Sequence, residues 1–119
     1  MLSLSRSVRV FLATTPVDMR GSFDALAGHA RRLGLAPEDG ALVVFWSRRG
    51  GLVKVLHFDG SGWCIYAKRL CRGTFQVPEV APGATRIAVD GAALASLLAG
   101  IPLDAPRRRW HEPRASVQR

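Results

Sequence analysis

Acidic residues are scarce in this 119-residue chain, where 9 Asp and Glu face 17 Lys and Arg and leave a formal net charge of +8. That imbalance turns the search for partners towards polyanions, nucleic acid first and an anionic membrane surface second. Long apolar runs are also missing. None approaches the roughly 20 residues of a membrane span, and Arg9 interrupts the apolar opening, so the first residues read poorly as a signal peptide. A cytoplasmic, nucleoid-associated protein with no membrane partner is expected. Cysteine is limited to Cys64 and Cys71, one pair too few for a disulfide scaffold and without the second pair of a zinc site. The 3 histidines, His29, His57 and His111, have no Cys, Asp or Glu at ligand or triad spacing. The chain contains neither a GxxxxGK[ST] loop nor a GxSxG elbow, and no paired carboxylates placed for metal-assisted strand transfer. No enzyme, no cofactor and no metal are therefore expected.

What the chain does have is apolar material: 48% of its residues are hydrophobic, enough to fold a single core. Residues 1–105 are read as one domain, and the charge-rich 106–119 as a basic, flexible tail. Val8 to Ala13 is short, β-branched and aromatic, the composition of a strand. Phe23, Leu26, Ala27, Ala30 and Leu33 follow helical spacing between a candidate N-cap, Ser22, and a candidate C-cap, Gly34. The outer face of that helix carries Arg31 and Arg32. Ala36 to Gly40 reads as loop, and Ala41 to Trp46 as a central strand buried on both faces. Gly73 to Val77 and Arg86 to Val89 are candidates for further short strands. Asp90 then caps a second helix with Leu94, Leu97, Leu98 and Ile101 on one face, stopped by Gly100 and Pro102. The expected fold class is α+β: a single domain with a mainly antiparallel sheet of about four to six strands and two helices.

The most informative stretch runs from Ser47 to Phe75. Two apolar runs, LVKVLHF and WCIYAKRL, are separated by Asp59-Gly60-Ser61-Gly62, the signature of a β-hairpin. Alternation puts Leu52, Lys54, Leu56 and Phe58 on one face and Val53, Val55 and His57 on the other, so neither face is cleanly polar and the strand must be largely covered. The cations gather away from the turn: Arg48 and Arg49 enter the hairpin, and Lys68, Arg69 and Arg72 leave it. In an antiparallel pair those ends are neighbours, which makes one basic patch from residues distant in sequence. Its functional reading is a phosphate-binding platform formed by Arg48, Arg49, Lys54, Lys68, Arg69 and Arg72. The competing reading is a charged strand end that keeps a sheet edge from pairing with other chains. Fifteen of the 17 cations are Arg, whose planar guanidinium matches phosphate and guanine edges bidentately, and this weighs towards nucleic acid.

Three smaller features carry two readings each. Arg107-Arg108-Arg109-Trp110 suits a tail that tracks a phosphate backbone and stacks a base, and it equally suits a solvated terminus. Asp18-Met19-Arg20 precedes a helix start, where an anion can bind, and an Asp–Arg pair fixing the strand-to-helix turn explains it as well. Asp18, His57 and Asp59 would form a catalytic cluster only if the fold brought them together.

At these residues the chain becomes recognisable. The ordered set Pro16-Val17-Asp18-Met19-Arg20, Phe23-Asp24-Ala25-Leu26, Val44-Phe45 with Arg48-Arg49, Lys54-Val55-Leu56, Asp59-Gly60, Lys68-Arg69-Leu70, Gly73-Thr74-Phe75 and Leu97-Leu98-Ala99-Gly100-Ile101 resembles the small accessory protein of the insertion-sequence sixty-six transposon family. That protein is the product of the element's second reading frame and is often labelled TnpB. Phe58 stands where the family usually has tryptophan and Ala25 where it has glycine, which read as packing variants. The resemblance implies a non-enzymatic accessory factor for DNA transposition, with no catalytic residues to carry over. Its expected partners are DNA, at the transposon ends or as non-specific duplex, with the cognate transposase as a further candidate. The alternative is a protein-interaction module that binds the transposase without touching DNA.

Overall fold

The structure, a computed structural model, describes residues 8–100. The expected tail, with Arg107, Arg108 and Arg109, and Ile101 of the second helix lie outside the described residues. Five strands form one sheet in the order β4-β3-β2-β1-β5. They are β1 (Val10–Ala13), β2 (Leu42–Trp46), β3 (Leu52–Phe58), β4 (Trp63–Arg69) and β5 (Arg86–Val89). Helix α1 (Phe23–Arg32) joins β1 to β2 by way of a single 3-10 turn at Pro37–Asp39, and α2 (Gly91–Leu98) follows β5.

The continuous apolar run does occupy the centre. Leu42, Val43, Val44 and Phe45 are all buried, because β2 has a neighbour on each side and a layer on each face. Val43 and Phe45 face α1, where they pack with Leu26, Ala27, Ala30, Ala13 and Leu56. Leu42 and Val44 face the other way, with Val10, Leu12, Val53, Val55 and the α2 residues Leu94 and Leu97. Both sheet faces are thus covered, one by each helix, and each fully buried Leu, Val or Phe contributes about 1.5–3 kcal/mol.

Three pairings in the sheet are antiparallel and one is not. β1 and β2 run parallel, in the register Val10↔Leu42, Phe11↔Val43 and Leu12↔Val44. The chain between them holds α1, the length of crossover that a parallel pair requires. The sheet is therefore mixed, a departure from a simple antiparallel meander that decides where the loops emerge. Two expected local features also differ. Gly73 to Val77 adds no strand and instead crosses the end of the sheet, held by the Phe75 amide donating to the Gly50 carbonyl at 2.7 Å and by the buried Phe75 ring. Of the hairpin, β3 lies inside the sheet, and β4 forms its edge.

The helix ends follow their sequence signals with one exception. Gly34 has φ of +80°, and the amides of Gly34 and Leu35 donate to the carbonyls of Arg31 and Ala30, the paired bonds of a Schellman stop. A Cβ at Gly34 would meet the Arg86 guanidinium at 2.9 Å, which itself donates to the Leu33 carbonyl. Gly34→Ala is expected to lower stability by about 1–2 kcal/mol, the left-handed penalty of an L-residue, read as a shift of the urea midpoint. Asp90 caps α2 by accepting from the Ala93 amide at 2.7 Å. Ser22 occupies the N-cap position of α1, but its hydroxyl makes no capping bond.

Candidate nucleic-acid interface

The parallel β1–β2 pair sends the segment after β1 and the turn after β2 out at the same end of the sheet. The antiparallel β3–β4 register, Leu52 opposite Arg69, brings the exit of the hairpin to that end too. Ser47 to Gly51 turns tightly: the Gly50 amide donates to the Ser47 carbonyl at 2.8 Å and the Leu52 amide to the Ser47 hydroxyl at 3.2 Å. Gly50 has φ of +79°, and a Cβ there would press on Thr74 at 3.0 Å. The turn is thereby fixed, with Arg48 and Arg49 exposed on its tip.

These three segments enclose an open cleft of about 1050 Å³ lined by Arg20, Arg48, Arg49 and Arg69, with Asp18 and the apolar Val17, Met19, Leu52 and Leu70 among its walls. Four guanidiniums less one carboxylate leave it a charge of +3. Arg20 is spoken for: its Nε and Nη2 donate to the Asp18 carboxylate at 3.1 and 2.7 Å. Arg20 holds that carboxyl well below the usual carboxylate range, so the pair is ionised across the physiological range. Among the described residues, Arg48, Arg49, Arg69 and Arg72 enter no ion pair, and all four are exposed.

The other two cations of the hairpin are engaged elsewhere. Lys54 is half-buried, and its ammonium donates to the carbonyls of Met19 at 2.8 Å and Gly21 at 3.3 Å. It is a strut that ties the Asp18–Arg20 segment to the sheet, just before an N-cap whose Ser22 hydroxyl makes no capping bond. Lys68 lies on the α2 face and donates to the Leu98 carbonyl at 2.7 Å, where a cation complements the negative end of the helix dipole. Lys54→Met leaves two half-buried carbonyls without their donor and is expected to lower stability by about 1–3 kcal/mol. Measured by urea unfolding, a change below a few tenths of that would show the strut to be idle.

Of the six hairpin cations expected to act together, Arg48, Arg49, Arg69 and Arg72 have no ion-pair partner among the described residues, Lys54 and Lys68 are bonded to carbonyls, and the Asp18–Arg20 pair, not among the expected DNA-binding residues, stands in the cleft wall. The helix-bearing crossover between β1 and β2 has the length a parallel pair needs, and it is the parallel direction itself that places Arg20 beside Arg48.

The turn end of the hairpin is chemically quiet. The Asp59 carboxylate accepts from the amides of Ser61 and Gly62 and from the Ser61 hydroxyl at 2.9–3.0 Å, and these bonds lower its pKa to about 2. A depressed carboxylate contributes stability above its unfolded value near 3.8 that is lost as pH falls through about 2. Urea midpoints between pH 5 and pH 2 should therefore fall less steeply for Asp59→Asn than for the wild type. The Cys64 thiol sits 3.6 Å from the same carboxylate; burial and that neighbouring charge raise its pKa, which makes it a poor nucleophile. Asp18 and Asp59 sit at opposite ends of the hairpin, so the possible Asp18–His57–Asp59 cluster is not assembled. Among the described residues, no three His, Cys, Asp or Glu side chains converge as a metal site would require. None of the described helices is long and apolar enough to cross a membrane.

Residues 8–108 match the family described as IS66 Orf2 like protein. The uncharacterized protein y4hO of Sinorhizobium fredii is 44% identical over 111 residues, covering 92% of this chain and 95% of the relative. A second uncharacterized protein of the same organism, y4jC, is 33% identical over 102 residues, covering 85% of this chain and 86% of the relative. No solved structure gives a significant match. The order of motifs, the extent of the match and the likeness to two near-full-length relatives agree: the chain belongs to the IS66 Orf2-like family of insertion-sequence proteins.

Proposed function

We propose that this protein is a non-enzymatic accessory factor of transposition that binds DNA through the arginines at the open end of its β3–β4 hairpin. The observation that carries the reading is the convergence of Arg48, Arg49 and Arg69 around one cleft, with Arg72 exposed beside them and no acid paired to any of the four among the described residues. Exposed guanidiniums gathered from two chain segments form a phosphate-binding platform, and membership of an insertion-sequence family supplies the polyanion. Neutralising three or four phosphates releases their counterions, so log K should fall with log salt with a slope of about −3 on duplex DNA. Fluorescence anisotropy with a labelled oligonucleotide across a salt series measures it; affinity independent of salt would overturn the reading.

A second reading rests on a different surface. Phe23 is 43% exposed, and with Ser22, Asp24, Ala25 and Trp63 it borders a groove at the turn end of the hairpin. A partner protein such as the cognate transposase is the occupant this reading proposes, with or without DNA at the arginine end. Retention of purified transposase after nuclease treatment, reduced at least about fivefold by Phe23→Ala, would support it; an association abolished by nuclease alone would exclude it.

A further inference from the structure

We infer that the arginine cleft takes an unpaired segment of single-stranded DNA, bases towards its apolar walls and phosphates towards its rim; this rests on the DNA-binding reading above. Three observations lead there. First, the cations surround a hollow and do not cover a ridge. Duplex sequence is read by a helix or a two-stranded ribbon laid into the major groove. At this end of the sheet β2 stops at Trp46 and β3 begins at Leu52, so Arg48 and Arg49 stand on the short turn, Arg20 on a loop and Arg69 on the last residue of β4.

Second, the walls between the guanidiniums are apolar. Val17, Met19, Leu52 and Leu70 are half-buried with part of their surface on the cleft. Phosphates gain nothing from such a surface, whereas a splayed base does. Among the described residues no aromatic lines the cleft, so the stacking planes they offer a base are guanidiniums, which single-strand readers also use.

Third, the size fits. A cleft of about 1050 Å³ lies just above the roughly 300–1,000 Å³ that holds a drug-sized ligand, room for a nucleotide or two. The Asp18–Arg20 pair is satisfied within itself, which leaves Arg48, Arg49 and Arg69 as the cleft cations that meet the backbone.

The test compares three labelled DNAs of equal length and mixed sequence by anisotropy at two salt concentrations: a single strand, its duplex, and the same single strand with abasic sites in place of bases. The account expects the single strand to bind about tenfold tighter than the duplex, and the abasic strand about tenfold weaker than its parent, since each stacked base is worth that order of affinity. Duplex binding equal to or tighter than single-strand binding would overturn the inference and leave DNA binding standing. So would equal binding of the abasic strand, because the phosphates alone would then account for the affinity. Binding of none of the three would overturn both.

Discussion

Changing Arg48, Arg49 and Arg69 together to Ala is expected to weaken DNA binding on the order of a hundredfold near 0.1 M salt and to flatten the log–log salt slope by about two to three units. The three residues are exposed, line one cleft and enter no ion pair among the described residues. Each contact removed takes away about 0.9 counterions on duplex DNA, or about 0.7 on a single strand. The fold should be unaffected, because these guanidiniums are outside both hydrophobic clusters, and surface changes of this kind usually stay within about 0.5 kcal/mol. A matched change at Arg9, Arg31 and Arg32, all exposed and away from the cleft, serves as the charge control. It lowers the net charge without touching the cleft, and should leave the slope nearly unchanged. Equal losses from the two sets would mean that net charge, and not the cleft, governs binding.

Phe45→Ala carries the largest expected effect on stability, a loss of about 3–5 kcal/mol. Phe45 is fully buried in the central strand, and its ring packs under α1, with the His29 ring centroid 6.0 Å away. Its buried neighbours Leu26, Ala27, Ala30 and Leu56 are held by the helix and sheet backbones, which limits how far they can collapse into the space. Against a total stability of about 5–15 kcal/mol for a domain, that loss is roughly a fifth of the whole or more. Phe11, on the neighbouring strand, offers the contrast. It is only half-buried beneath the Arg86 guanidinium, 5.9 Å from its ring centroid, so Phe11→Ala should cost well under half as much. Comparable urea midpoints for the two variants would contradict the assignment of Phe45 to the centre of the core.

Much of this architecture was legible in the sequence because local chemistry determines it. The apolar run of β2, the Asp59–Gly62 turn, the Gly34 stop and the Asp90 cap each depend on a few adjacent residues, and each appears where the pattern puts it. The features that were not legible depend on distant partners. Alternation places Lys54 on a strand face but says nothing of the Met19 and Gly21 carbonyls that receive its ammonium. Lys68 likewise reads as part of a basic strand end until α2 brings the Leu98 carbonyl over it. The direction of β1 relative to β2 is hidden for the same reason, since either direction satisfies the same burial pattern. That single choice moves Asp18 and Arg20 into the basic end of the sheet, so the hairpin cations and the helix-start motif, separate in sequence, become parts of one cleft.

The most direct measurement of the central claim is an NMR titration of the ¹⁵N-labelled protein with a DNA oligonucleotide, following backbone amides and arginine Nε–Hε groups. The account predicts that shifts concentrate at residues 17–20, 47–52 and 69–73, with the Nε signals of Arg48, Arg49 and Arg69 among the largest, while Asp59 to Gly62 stay still. Shifts centred on the Asp59–Gly62 turn, or no saturable shifts at all, would contradict it.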